Sequence, residues 1–180
     1  MRARLSASMA TMRRLRANSR GLALIEFAFV LPILVTLLFG GYQLLDASAC
    51  KRRVAITARA VADLVSQNDR LTAESVDTIL AAASQIMAPY PVSASRTRVS
   101  QIAIDGNGNA KVDWSKGASP YAKNTAVPGW PAGMSARNSY YIYSEVTYTY
   151  VTLVPSVVGN MNFNQTLIML PRKSVSVDLS

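Results

Sequence analysis

Residues 22–45 read LALIEFAFVLPILVTLLFGGYQLL, and this run decides how the rest of the chain is organised. It contains a single ionisable side chain, Glu26. Since a helix rises 1.5 Å per residue, this run spans about 36 Å and exceeds a hydrocarbon core of about 30 Å. The run therefore predicts a membrane-spanning helix rather than the buried helix of a soluble protein.

The charge on either side of this run predicts its orientation. Residues 1–21 carry no acidic residue and six arginines: Arg2, Arg4, Arg13, Arg14, Arg16 and Arg20. Three basic residues follow the run at positions 51–53 and weaken the asymmetry without reversing it. The positive-inside rule therefore predicts a single pass, with the leader 1–21 in the cytoplasm and the body outside.

The remaining composition argues against several function classes. The formal charge of +9 falls to +3 without residues 1–21, since 13 basic and 10 acidic residues remain. No basic stripe is interleaved with aromatic residues, so we expect no nucleic-acid partner. The chain has no His and one Cys, which removes imidazole catalysis and Cys-cluster zinc sites. We expect no catalytic residues, no metal and no cofactor.

Three interpretations compete for the N-terminal region. The sequence Ala47-Ser48-Ala49 resembles a signal-peptidase site and precedes Cys50, but the apolar run is longer than a signal peptide needs. A plain, uncleaved membrane anchor requires hydrophobicity alone. The third interpretation depends on Gly21 and Glu26.

The sequence RGLALIEF, residues 20–27, places Gly21 at the boundary between charged and apolar residues and Glu26 five positions later. A prepilin-type peptidase cuts after such a glycine, which would leave Leu22 as the new N-terminus. A carboxylate in a bilayer costs about 2.5–3.5 kcal/mol on insertion scales, so it predicts a function. An α-ammonium group of a neighbouring subunit is the expected partner of Glu26, with Phe27 as the following aromatic residue. Solvation of Glu26 by lipid headgroups remains the alternative.

Residues 20–67 resemble the N-terminal region of TadE/TadG-like proteins. The matching features are Arg20-Gly21, Glu26-Phe27, Leu31-Pro32 and Gly40-Gly41, followed by a helix rich in Ala and Arg. The resemblance implies a minor pilin-like component of a tight-adherence (Flp, type IV-like) pilus, anchored in the bacterial inner membrane with a periplasmic head. It also implies partners: other pilin-like subunits, the assembly platform and, for TadE-like members, a prepilin peptidase.

The helix is predicted to continue past the membrane over residues 46–67, because no Gly or Pro interrupts them. Its inward positions are predicted to be Val54, Ala58, Val61, Leu64 and Val65, whereas Ser66 is assigned to another face. Pro32 removes one backbone hydrogen bond and should bend the helix. Gly40 and Gly41 offer either a close-packing surface or a soft point.

Residues 68–180 are predicted to form an α+β head. A second helix is expected over Thr72–Met87, with Thr72 as N-cap. An antiparallel sheet of about four strands is expected from the alternating segments Arg98–Asp105, Ala110–Trp114, Tyr140–Val154 and Thr166–Leu170, and alternation resumes over Val175–Leu179. Residues 105–109 read as a hairpin turn rather than a calcium loop. A long loop is expected at residues 116–139.

Three aromatic residues of the head are candidates for an interface. Tyr141 and Tyr143 lie on the face of their strand opposite the predicted buried face, and Trp130 lies in the long loop. Tyr is enriched at interfaces but is also an ordinary strand residue, and both readings remain open. Cys50 is expected either to pack as a small apolar residue or to be a free or intermolecularly bonded thiol.

The leading functional hypothesis is a pilin-like, non-enzymatic assembly factor cut between Gly21 and Leu22. The alternative is an uncleaved, membrane-anchored periplasmic scaffold or binding protein of the same apparatus. A secreted or lipidated hydrolase released near Ala49 is a third, which the missing His disfavours. Whether the protein enters the filament or stays at its base is left open.

Overall fold

The computed structural model describes residues 19–131, 133–134, 136–152 and 159–180. The predicted leader up to residue 18, and Val154 of a predicted strand, lie outside the described residues. The chain divides into two units between Leu45 and Asp46.

Helix α1 spans Ser19–Ser66 without interruption, which confirms the prediction of one long helix. Pro32 lies inside it, and the Thr36 hydroxyl donates a hydrogen bond of 2.7 Å to the Pro32 carbonyl oxygen. The residues of α1 that are buried after the apolar run include Cys50, Val54, Ala58, Val61 and Val65.

Two predicted positions on α1 are wrong. Leu64 is 40% exposed although it was expected to face inward. Ser66 is fully buried although it was expected to face outward. Its hydroxyl donates to the Asp63 carbonyl oxygen at 2.9 Å and lies 3.7 Å from the sulfur of Met169, so the sheet covers this turn of the helix.

Helix α2 spans Ala73–Ser84 and confirms the second helix. Thr72 is its N-cap, and its hydroxyl oxygen accepts a hydrogen bond of 3.1 Å from the backbone N–H of Ser75. The last predicted turn is tighter than an α-helix, since Gln85–Met87 forms a 3₁₀ turn, and a second such turn spans Val92–Ala94.

The head contains a four-stranded antiparallel sheet, as predicted. Its strands are β2 (Ser95–Ile104), β3 (Ala110–Gly117), β4 (Ser139–Tyr150) and β5 (Met161–Met169), in the order β3-β2-β4-β5. A small parallel pair, β1 (Arg70–Leu71) with β6 (Asp178–Leu179), was not predicted. The terminal alternation begins later than expected, because Val175 is 74% exposed whereas Val177 is buried.

The turn between β2 and β3 is held by Asp105. Its carboxylate accepts hydrogen bonds of 2.9 Å from the backbone N–H groups of both Asn107 and Asn109. The hydrogen bonds from Asn109 are the main cause that lowers the pKa of Asp105. These bonds occupy Asp105 within its own turn, which favours the hairpin reading over a calcium loop.

Both faces of the sheet are covered. One face packs against α1 and α2, and the even-numbered residues of β4 that line it are Ile142, Val146, Tyr148 and Tyr150, as the alternation predicts. On the opposite face, Val127 of the 118–138 loop packs in a cluster with Ile102, Val112 and Tyr143. The long loop is therefore part of the head's packing.

Candidate functional site

The predicted cleavage position lies near the start of α1. Gly21 is exposed, and no atom outside its own stretch of helix lies within 4 Å of the position that a Cβ would take. Leu22 is 61% exposed. Within the described residues, nothing shields this peptide bond, so a side chain introduced at Gly21 would not disturb packing.

Glu26 is exposed one turn after Leu22. Residues four apart lie on one face of a helix, about 5–6 Å apart at their Cβ atoms. The side chains of Leu22 and Glu26 therefore lie on the same side of α1. Phe27 is 58% exposed and lies on an adjoining part of the surface.

The apolar residues of α1 before Asp46 are left uncovered. Their exposed fractions range from 42% at Leu31 to 74% at Phe29. This apolar surface is continuous over the segment, and such a surface requires lipid or protein around it. Among the described residues, α1 is the one helix long and apolar enough to cross a membrane, and it is compatible with membrane anchoring.

Gly40 and Gly41 are also exposed, and no atom outside their own stretch of helix lies within 4 Å of the positions that their Cβ atoms would take. Within the described part of the chain no other element approaches them. Their backbone is therefore open to a partner helix, and the predicted close-packing role stays a prediction. The predicted bend at Pro32 also stays a prediction.

Asp46, the first residue after the apolar run, bonds the part of α1 that belongs to the head to other elements of the head. The Tyr90 hydroxyl donates to its Oδ1 at 2.8 Å, and the Tyr150 hydroxyl donates to its Oδ2 at 2.6 Å. The Tyr90 ring packs edge-on against Tyr148 and Tyr150, with ring centroids 6.2 and 6.4 Å apart. Asp46 thus links the start of the part of α1 that lies in the head to β4 and to the segment after α2.

These contacts predict that the head is destabilised by alkali. Burial and the Asp46 carboxylate raise the pKa of Tyr90 to about 12, and burial raises the pKa of Tyr143 to about 12. Because folding favours the neutral phenol, this stabilisation is complete below pH ~10 and is lost as the pH rises through about 12. Circular dichroism of the full chain in detergent should show unfolding that begins above pH ~10.

A matched variant tests the cause of this alkaline transition. Tyr90→Phe removes the ionisable group and should weaken the pH dependence between pH ~10 and ~12, although it also lowers stability at neutral pH. An unchanged slope in this variant would contradict the role given to Tyr90.

The three predicted interface residues form one aromatic cluster. The Trp130 ring lies edge-on to Tyr141 and Tyr143, with centroids 5.6 and 5.9 Å apart. Tyr143 is 7% exposed and belongs to the head's own packing, whereas Trp130 and Tyr141 are half-buried. An interface role stays a prediction and falls mainly on Trp130 and Tyr141.

The long loop is attached to the sheet by a polar network that sequence analysis missed. Arg98 Nε donates to Glu145 Oε2 at 2.8 Å, and an Arg98 guanidinium N–H donates to the Ser119 carbonyl oxygen at 2.6 Å. The guanidinium also lies 3.7 Å from the centre of the Tyr121 ring. The Tyr121 hydroxyl donates to Glu145 Oε1 at 3.2 Å, which closes the network.

An open cavity of about 530 Å³ lies beside this network, lined by Asp113, Trp114, Ser115, Tyr121, Lys123, Asp178 and Leu179. One of its two carboxylates is already engaged, since Asp113 accepts a hydrogen bond from Gln101 at 2.9 Å and lies 3.2 Å from Lys123. Among the described residues, no group of three His, Cys, Asp or Glu side chains is placed to hold a metal ion.

The exposed helix α1 is similar to a known family of proteins. Residues 21–63 match the family model of TadE-like proteins. The match begins at Gly21 and ends three residues before the end of α1, so the resemblance predicted from sequence is confirmed for this TadE-like segment. No curated protein and no solved structure matches the chain significantly.

The TadE-like segment contains Gly21, Glu26, Pro32 and the glycine pair, but it ends before every strand of the head. The contacts of Asp46 with Tyr90 and Tyr150 join residues 44 and 104 positions apart. Local patterns could not reveal them. The one available signal was that Asp46 is an acidic residue placed directly after the apolar run.

Proposed function

We propose that this chain is a pilin-like, non-enzymatic assembly factor of a tight-adherence pilus. Helix α1 anchors it in the bacterial inner membrane, with the leader in the cytoplasm and the head in the periplasm. A prepilin peptidase cuts between Gly21 and Leu22, and Glu26 then guides the mature chain into contact with other pilin-like subunits. The head carries no catalytic role.

The observation that carries this proposal is the family match, which starts at Gly21 and includes the apolar segment with Glu26. The structure adds that Gly21 and Glu26 are both exposed on a helix whose neighbouring apolar residues are uncovered. A carboxylate on such a surface is costly in lipid, and pairing with an α-ammonium group offsets that cost.

The position of Cys50 disfavours release of the head near Ala49. Cys50 is fully buried in a cluster with Val54, Met87 and Tyr148, so it packs as a small apolar residue in the head. Burial is also the main cause that raises the pKa of its thiol to about 11. A cut before Cys50 would remove Asp46, and with it both tyrosine hydrogen bonds.

Intact-mass analysis of the membrane-purified protein tests the cleavage. In cells with a prepilin peptidase we expect a mature chain that begins at Leu22, and in cells without the peptidase the full-length chain. Gly21→Leu should block processing, because the peptidase requires a small residue there, and it should leave the fold intact because the position is open.

Leu22→Val, which changes a side chain on the other side of the bond, is the matched control and should still be processed. Full-length protein in both strains would overturn the cleavage and favour the uncleaved, anchored scaffold. A chain that begins at Cys50 would favour a released protein instead.

A further inference from the structure

The outer side of α1 in the head carries two exposed arginines, and the acidic residue that follows them on that side, Asp63, is already paired with Arg172. Arg52, Ile56 and Arg59 are exposed and follow one another at spacings of four and three, so they share one side of the helix. Neither arginine lies within salt-bridge distance of a described carboxylate, and Ile56 is 48% exposed. We define these three residues as the basic face.

An acidic surface lies on the other helix of the same head. Glu74 and Asp77 of α2 are exposed, and neither pairs with a described basic residue. Glu74 lies in the first turn, where it also interacts favourably with the helix dipole. Asp77 lies beyond that turn, so the helix dipole does not account for it, and it is the better indicator of a partner. We define these two residues as the acidic face.

The two faces lie at similar heights along the head. Val76 of α2 packs in one cluster with Val61 and Val65 of α1, whereas Met87, just after α2, packs with Cys50 and Val54. The helices therefore run in opposite directions along the same side of the sheet. Val76, the neighbour of Asp77, shares its cluster with Val61, which follows Arg59 by two residues, or about half a turn.

From this arrangement we infer that the basic face of one copy binds the acidic face of a second copy, in a head-to-tail contact. In every anchored copy, the head lies on the same side of the membrane. If the basic face met itself, Arg52 and Arg59 would oppose like charges, which is unfavourable. A contact between unlike faces places Arg59 near Asp77 of the next copy and repeats from copy to copy, as heterologous contacts do.

This inference rests on the membrane anchoring of the proposed function but not on the cleavage. Cross-linking in membranes tests it with the full chain. Ile56→Cys and Thr78→Cys each place one exposed thiol at a face, and Cys50 is buried and should not react. With a bifunctional maleimide, the doubly substituted chain should give a ladder of dimers, trimers and higher species, whereas each single variant should give monomers.

Charge reversal in the doubly substituted chain tests the pairing itself. Arg59→Glu alone and Asp77→Lys alone should each weaken the ladder at least several-fold, and the two reversals together should restore it. Arg137→Glu, an exposed site outside both faces, is the control and should leave the ladder unchanged. The ladder should also weaken in high salt.

Three outcomes would overturn the head-to-tail contact. These are dimers from either single-cysteine variant, absence of a ladder from the double variant, and a ladder that single charge reversals do not change. The cleavage experiment is independent, because an uncut chain can still form the ladder. Failure of this inference is therefore distinguishable from failure of the proposed function.

Discussion

Replacing Glu26 by alanine is expected to abolish piliation while the protein still inserts into the membrane. The alanine removes the single ionisable group of the apolar run, so insertion becomes more favourable, by less than the roughly 2.5–3.5 kcal/mol of a charge at the centre of a span because Glu26 lies near the end of the run. It also removes the carboxylate that would pair with the amino group of a neighbouring subunit. The expected loss is in assembly and not in folding, because Glu26 lies outside the head.

Piliation by electron microscopy and the amount of protein in the membrane fraction measure these two effects separately. Glu26→Gln keeps the shape but not the charge and should also be defective. Leu24→Ala, two positions away and 69% exposed, is the control and should assemble normally. Normal piliation of Glu26→Ala would remove the guide role from the proposal.

Replacing Arg98 by methionine is expected to destabilise the head by about 3 kcal/mol, because it leaves the Glu145 carboxylate buried without its partner. The side chains are 19% and 14% exposed, so solvent replaces little of the lost interaction. The substitution also removes the Arg98 contacts with Ser119 and with the Tyr121 ring and leaves the Tyr121–Glu145 hydrogen bond, so we expect the loop to leave the sheet before the sheet itself unfolds.

Urea denaturation of the full chain in detergent measures this change, and limited proteolysis reports on the loop. Arg96→Met on the same strand is the matched control, since Arg96 is exposed and has no ion pair among the described residues. It should change the free energy of unfolding by less than about 0.5 kcal/mol. Equal effects of the two substitutions would mean that the network does not stabilise the head.

The sequence predicted what depends on neighbouring residues. An uninterrupted apolar run and its helical continuation predicted α1, the Thr72 cap predicted α2, and alternation predicted the buried face of β4. The errors on α1 arose at its end, where Met169 covers Ser66 and where Leu64 turns away. Helical periodicity describes one element and cannot say which neighbour covers it.

The candidate site was predictable in part for the same reason. Gly21 and Glu26 form a local motif, and the family match includes both. The Asp46 contacts and the Arg98 network depend on pairings of residues far apart in sequence, such as Arg98 with Glu145 across adjacent strands. The two covered faces of the sheet were not expected, because a loop rich in Gly and Pro gives no periodic signal.

The contacts of α1 with the sheet also determine how the head withstands mechanical force. Near its start Asp46 bonds Tyr150 at the end of β4, and further along Val61 and Val65 share a cluster with Ile142 near the start of β4. The helix therefore runs antiparallel to β4 along most of that strand. Tension applied along the axis of α1 would load these contacts simultaneously, in shear. Contacts that are loaded simultaneously in shear resist more force than contacts that break one after another.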